Sequence, residues 1–403
     1  MKKIRVLVVD DSAFMRKMLS DILAEDPGIE VLGTARNGQE AIEGLNRLKP
    51  DVITLDVEMP VMGGLSALNE IMKIRPTPVL MISSATQAGA EATLKALQRG
   101  AVDFVAKPSG SISLDIGKLG DEIRQKVKLA STVNLSQAPA AVPALRPAPS
   151  PPRPAEVKVE TGPPRPAAPV AAPKAAPAAA PKPAPPAAPV VPAAPPSALS
   201  RPVWSEINKL VVIGTSTGGP KALYEIIPSL PKDLAAGVLI VQHMPPGFTR
   251  SLAERLNHAS GINVKEAEDG DEVLPGWAYV APGDYHMSVK TIERAAGKRQ
   301  LIIELDKGSP VGGHRPDINT MFNSVAKSFW SKIVAVLLTG MGNDGTEGMK
   351  KIKAVGGRTI AEDQSTAVVF GIPRSAIEAK VVDRVVPLGQ VAHEIVRALS
   401  ERG

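Results

Sequence analysis

The chain has 403 residues, no cysteine and a formal net charge of +6. Disulfides, zinc–thiolate centres and a cysteine nucleophile are excluded together, and the length allows two or three domains with cores of their own. No apolar run is long enough to span a bilayer, and the opening MKKIRVLVVDD enters a strand and meets two aspartates, so a cytoplasmic protein without membrane insertion is expected.

In chain order, Ile4–Val9 is apolar and β-branched, and Ser12–Ala24 follows with helical spacing that puts Phe14, Met18, Leu19, Ile22 and Leu23 on one side. Further short strands are predicted at Ile29–Gly33, Val52–Leu55, Val79–Ile82 and Val102–Val105, with helices at Gly38–Leu48, Gly64–Ile74 and Ala90–Arg99 between them. Five βα units imply an α/β fold, a flavodoxin-like parallel sheet with its site at the carboxyl ends of the strands. At those ends stand Asp10 and Asp11, then Asp56, then Ser83 and Ser84, then Lys107. Three converging carboxylates repel one another unless a divalent cation sits among them, and Mg2+ suits an all-oxygen site. Lys107 supplies a fixed positive charge there, and Ser83 a hydroxyl for a phosphoryl oxygen.

The VVDDS, LDVEMPVMGG and AKP stretches resemble those of response-regulator receiver domains over residues 1 to about 125. The resemblance implies that Asp56 accepts a phosphoryl group from a chemotaxis histidine kinase. It implies that Asp11 and Asp56, with the Glu58 carbonyl, bind Mg2+, Asp10 assisting through water. Lys107 would then pair with the phosphoryl group, Ser83 would be the switch hydroxyl and Phe104 the rotating aromatic; a plain core role suits Phe104 equally.

Residues 138–200 are Ala and Pro with scattered Lys and Arg. Repeated prolines remove backbone donors, and side chains this small pack no core, so an extended tether is expected. Boundaries follow: a receiver over 1–130, a linker over 131–204 and a second domain over 205–403. Much of the positive excess lies in the tether, and no helix-turn-helix, zinc-ligand or aromatic-basic pattern is present, so no nucleic-acid partner is expected.

The second domain opens on LVVIGTSTGG. The apolar run Leu210–Ile213 stops at Gly214, and Pro220 opens a helix, which lifts Ser216 out at a strand's carboxyl end among backbone N–H groups. Gly214 to Gly218 fits the G-x-S-x-G nucleophile elbow, although such a turn also suits a bound phosphate. All five histidines lie beyond the tether. His243 follows the run Val238–Val241, on the same sheet edge as Ser216. His258 falls late in a helix and His393 in the last amphipathic helix. His286 and His314 remain competitors for the general base, His314 in a loop that suits a substrate groove. A third strand, Ile333–Leu338, runs into TGMGNDGTEGM. If Asp344 there orients the His243 imidazole, amides near Met341 and Thr217 complete an oxyanion hole. Gly340, Gly342 and Gly345 also spell a dinucleotide fingerprint, with Glu362 and Asp363 at the right distance, but Asp344 would then stand beside the pyrophosphate.

The order Ser, His, Asp differs from that of α/β-hydrolases. IGTSTGGP, QHMPPGFT, VAPGDYHM, HRPDIN and LLTGMGNDGTEGM resemble the chemotaxis protein-glutamate methylesterases across most of residues 208–400. Asn319 departs from the usual pattern after HRP. The resemblance implies a doubly wound, mostly parallel α/β catalytic domain with Ser216 as nucleophile, His243 as base and Asp344 as orienting acid. It implies hydrolysis of glutamate γ-methyl esters on methyl-accepting chemotaxis receptors and deamidation of receptor glutamines, without a cofactor for the esterase. A monomer is expected, with a receiver that inhibits until Asp56 is phosphorylated. The alternatives are a nucleotide-binding or a non-enzymatic output domain.

Overall fold

The computed structural model describes residues 2–84, 86–107, 116–133, 207–294 and 297–401. The tether predicted over 138–200 lies outside the described residues. The described residues on both sides of it belong to one compact unit.

The N-terminal sheet holds β1 (Ile4–Val9), β2 (Ile29–Ala35), β3 (Val52–Asp56), β4 (Val79–Ser83) and β5 (Asp103–Ala106) in the order β2-β1-β3-β4-β5, all parallel. This is the flavodoxin-like order, in which connections reverse direction beside β1 and leave a crevice at the carboxyl ends of β1 and β3. The helices are α1 (Ala13–Ala24), α2 (Gly38–Leu48), α3 (Gly64–Ile74), α4 (Gln87–Gln98) and α5 (Ile116–Ala130). Ser12 and Asn37 cap α1 and α2 through their side chains, as short polar residues do where the first helical amides lack partners. Several boundaries differ from the sequence reading by one to three residues, and β4 and β5 both end one residue later, at Ser83 and Ala106. β2 runs on to Ala35, its register with β1 shifting between Val6 and Leu7. Capped by Thr86, α4 starts at Gln87, three residues earlier than the apolar pattern suggests. β3 includes Asp56 as its last residue.

The C-terminal sheet has seven parallel strands in the order β14-β13-β12-β6-β7-β9-β8. The strands are β6 (Lys209–Thr215), β7 (Gly237–Gln242), β8 (Asn263–Glu266), β9 (Trp277–Val280), β12 (Lys332–Leu337), β13 (Arg358–Glu362) and β14 (Arg384–Val386). Strands β10 (His286–Glu293) and β11 (Arg299–Asp306) form a separate antiparallel hairpin, which the sequence reading did not anticipate. The helices are α6 (Gly219–Ile226), α7 (Phe248–Ala259), α8 (Ile318–Ser328), α9 (Thr346–Ala354), α10 (Ile372–Glu378) and α11 (Leu388–Ser400).

Central strands of such a sheet are covered on both faces, so they read as continuous apolar runs. In β6, Leu210 and Val212 enter one core with Leu239, Phe322 and Leu337, while Val211 and Ile213 enter the other with Val238, Leu252 and Ile395. That second core continues into the N-terminal sheet through Phe104 and Phe248, whose rings stack 4.5 Å apart. Among the described residues no helix is long and apolar enough to cross a membrane.

Candidate active site and phosphorylation site

At the N-terminal crevice, Asp10 and Asp56 are buried and Asp11 is exposed, and each offers a carboxylate oxygen within 4.8 Å of the others. Lys107 Nζ lies 2.9 Å from Asp10 Oδ2 and 2.8 Å from Asp56 Oδ2. The Asp10 oxygen is buried without a hydrogen bond of good geometry. One ammonium for three carboxylates leaves the crevice short of positive charge, and converging carboxylate oxygens with spare lone pairs are what a Mg2+ ion takes as ligands, so the residues fit that ion. Burial pushes the Asp56 carboxyl up and Asp10 adds to the push, while Lys107 opposes it. Burial tends to discharge Lys107, but its bonds to Asp56 and Asp10 prevail and raise its pKa. Glu58 lies two residues beyond Asp56 with an exposed side chain. The Ser83 hydroxyl is turned to the Gly89 carbonyl at 3.1 Å, the first turn of α4. Phe104 is buried in the core, so it has the core role and the aromatic contact with Phe248 together.

In the C-terminal sheet, Thr215 on β6 and Gln242 on β7 are register partners, so Ser216 and His243 leave the sheet side by side. The elbow is tight: a Cβ at Gly219 would meet Gln242 Oε1 at 2.0 Å, and Gly218 has φ +80° with Val368 2.7 Å from an added Cβ. Gln242, which the sequence reading passed over, braces both neighbours: its Nε2 donates to the carbonyls of Ser216 at 2.9 Å and His243 at 3.1 Å. Just past β12, the Thr339 carbonyl accepts the Ser216 N–H at 3.0 Å and the Thr215 hydroxyl at 3.0 Å, and the Thr339 hydroxyl donates to the Thr217 carbonyl at 2.9 Å.

His243 Nε2 lies 2.8 Å from Asp344 Oδ2. The amides of Ile318 and Asn319, at the start of α8, donate to Asp344 Oδ2 and Oδ1 at 2.7 and 2.9 Å. Burial raises the Asp344 carboxyl, but the bond to His243 and these two amides outweigh it and hold it at about 2. An ionised carboxylate only accepts, so Nε2 carries the proton and Nδ1 the lone pair. Nδ1 is buried and, among the described residues, without a partner. Nor does any described residue hydrogen-bond the Ser216 hydroxyl, and the Thr217 and Met341 amides have no acceptor among them. Asp317 caps α8 beside Asp344, and burial followed by the Asp344 charge pushes it up to about 6.

The competing histidines are placed. His286 sits on β10 with Nε2 3.1 Å from the Ser309 carbonyl. His258 is in the last turn of α7, and His393 is exposed on α11. His314 lies against the site, its ring stacked on His243 at 3.9 Å. The dinucleotide reading loses its acid here: Glu362, which a ribose would need, is buried with Oε2 accepting the Thr339 N–H at 2.8 Å. Asn319 bears on the site through its backbone as well as its groove: its Oδ1 accepts the Gly348 N–H while its own amide holds Asp344.

The N-terminal sheet reaches the elbow directly. Thr217 Oγ1 donates to Asp103 Oδ2 at 2.7 Å in a buried contact. Lys126 on α5 lies 3.4 Å from the same carboxylate and over the Phe104 ring, and Asp103 and Glu122 keep it charged against burial. On the far side of α4, Arg255 donates to Gln98 Oε1 at 2.6 Å. A cavity of about 480 Å³ opens beside Met341 and Gly218; Leu129, Thr132 and Val133 wall one side of it, and the His243 and Asp344 side chains are not part of it.

A flavodoxin-like sheet with an aspartate–lysine crevice is joined to a parallel sheet with a serine elbow beside a His–Asp pair, an arrangement that suits a hydrolase coupled to a receiver. Residues 6–115 match the response regulator receiver domain model, and residues 211–395 match that of the CheB methylesterases. A protein-glutamate methylesterase/protein-glutamine glutaminase of Syntrophomonas wolfei is 46% identical over 399 residues, covering 99% of this chain and 100% of that protein. One of the same description from Geobacillus kaustophilus is 48% identical over 402 residues, 100% of both. The crystal structure of the Thermotoga maritima CheB methylesterase catalytic domain is 48% identical and covers 47% of this chain and 98% of that one, with a TM-score of 0.45. The chain belongs to the CheB methylesterase family, with a receiver domain in front.

Proposed function

We propose that the chain is a phosphorylation-controlled protein-glutamate methylesterase and protein-glutamine glutaminase, acting in the cytoplasm as a monomer on methyl-accepting chemotaxis receptors. Its units are the receiver over 1–130, the linker over 131–204 and the catalytic domain over 205–403. The observation that carries the reading is the His243–Asp344 pair, 2.8 Å apart, at the strand end adjoining Ser216. Ser216 Oγ gives its proton to His243 Nδ1 and attacks the γ-carbonyl of a glutamyl methyl ester. Asp344 stabilises the imidazolium, and the Thr217 and Met341 amides receive the oxyanion. The tetrahedral intermediate expels methanol, which takes the proton from His243. Water, deprotonated by the same nitrogen, then releases the glutamate. With a glutamine the leaving group is ammonia and the steps are the same.

Control begins at Asp56, the acceptor of a phosphoryl group from a histidine kinase. Asp10, Asp11 and Asp56, with the Glu58 carbonyl, would hold Mg2+, which neutralises charge while the phosphoryl group is transferred. Lys107 pairs with the phosphoryl oxygens. Ser83 leaves the Gly89 carbonyl to do the same, and Phe104 rotates away from Phe248. Contacts at Asp103 and Phe104 hold the receiver on the elbow until then. The test is methanol release from methylated receptor membranes, with and without a small phosphodonor. Ser216→Ala is expected to lower turnover by several powers of ten; near-normal turnover would exclude the serine.

A further inference from the structure

One segment grips two members of the site. In HRPDIN, residues 314–319, the Ile318 and Asn319 amides hold Asp344 and Asp317 caps α8. At its other end the His314 ring lies on the His243 ring, with centroids 3.9 Å apart and planes 12° apart. The loop is itself anchored. Val311 and His314 exchange backbone bonds of 3.0 and 2.9 Å, and Arg315 is ion-paired with Asp284 and donates to the carbonyls of Lys307 and Gly308.

His243 needs such a wall. Among the described residues its side chain makes one polar contact, through Nε2, and Nδ1 has no partner. One hydrogen bond fixes a point and leaves the ring free to pivot about it, because the terminal torsion of histidine is broad. A face-to-face neighbour fixes the plane. We propose that His314 is a positioning residue: its flat ring presses on His243 and so fixes the direction in which Nδ1 points at Ser216. This rests on the reading of Ser216 and His243 as nucleophile and base.

The groups around His314 suit the role. Burial, then the charge of His243, push its pKa down to about 4, with Lys126 adding to the push and Asp344 opposing it. His314 is therefore neutral at neutral pH, and the imidazolium formed during the reaction does not face a second cation 3.9 Å away.

The test uses the full chain with a phosphodonor and methylated receptor membranes. His314→Ala should lower kcat by about 10- to 100-fold, as misplacement of a reacting group does, and leave KM within about twofold. His314→Phe, which restores a flat ring without a titrating group, should recover most of the loss. If His314→Ala does not fold, His314→Leu against His314→Phe makes the same comparison, since leucine fills space without a plane. Equal impairment of the Ala or Leu variant and the Phe variant would overturn the inference, as would full kcat in His314→Ala. Ser216→Ala run in parallel separates the failures: turnover surviving there removes the underlying reading, whereas a dead Ser216→Ala beside an unimpaired His314→Ala removes only the role of His314.

Discussion

Asp56 and Asp344 stand at the carboxyl edges of two parallel sheets, and their surroundings drive them in opposite directions. Asp56 is buried beside a second carboxylate, shares one lysine with it and is pushed up. Asp344 is buried too, but a histidine and two helix amides face it and it is held at about 2. Burial is the largest influence on each, so the neighbours decide the outcome. The difference suits the two tasks proposed for them. A phospho-acceptor must become a covalent partner and must tolerate a change of charge. An orienting acid must keep its charge while the imidazole beside it gains one.

Breaking the second arrangement has the largest expected effect. Asp344→Asn keeps the shape and removes the charge, so Nε2 loses its obligatory acceptor and Nδ1 its assured lone pair. A loss of about 10⁴-fold in kcat is expected, measured as methanol release on receptor membranes. A loss under tenfold would mean that the histidine needs no ionised partner. Asp56→Asn, by contrast, should leave unstimulated turnover within about twofold and abolish the response to a phosphodonor.

Glu362 sharpens the comparison as a third buried carboxyl at a strand end, with neither a lysine nor a pair of helix amides. Burial dominates, Glu225 and Asp363 add to it, the Thr339 amide opposes it, and the group reaches about 7 from 4.5. A folded pKa above the unfolded one means that the folded chain binds the proton more tightly between those values. The associated stability is complete below about pH 4.5 and is lost as pH rises through about 7. Glu362→Gln does not titrate. Its stability relative to the parent should therefore improve from pH 5 to pH 8, by at most about 3 kcal/mol, read from melting curves at the two values. Parallel curves would place the Glu362 pKa near that of a free carboxyl.

Most of the strand ends were legible because parallel strands covered on both faces announce themselves as β-branched runs, and polar residues just after them stand out. Ser216 and His243 stand out that way, and so do Asp10, Asp56 and Lys107, whereas Asp344 lies in a glycine loop six residues past the strand predicted over Ile333–Leu338. The support around them was not legible. Asn319 invites attention for its side chain, yet its backbone amide holds Asp344, and an amide leaves no mark in a sequence. Glu362 reads as a ribose ligand until β13 buries it. The β10–β11 hairpin breaks the βα alternation that the rest of the chain leads one to expect.

The smallest effect tests how the two sites communicate. Thr217 follows the nucleophile and supplies an oxyanion amide in the proposed reaction, and its hydroxyl is tied to Asp103 across a buried contact. Asp103 precedes Phe104, and Lys126 neutralises it from α5. A hydrogen bond to a charged group contributes about 1.5–3 kcal/mol, but in Asp103→Ala water can take up the freed Thr217 hydroxyl, which offsets part of the change, while Lys126 keeps Glu122 3.0 Å away. The closed arrangement should weaken by about 1.4 kcal/mol, equivalent to about a tenfold rise in turnover without a phosphodonor, and the phosphodonor should then add correspondingly less. The sum matters more than either part, because a latch that is already open has less left to release. If Asp103→Ala raises basal turnover and the phosphodonor still stimulates by the full parental factor, the Asp103–Thr217 contact is not on the route between Asp56 and Ser216.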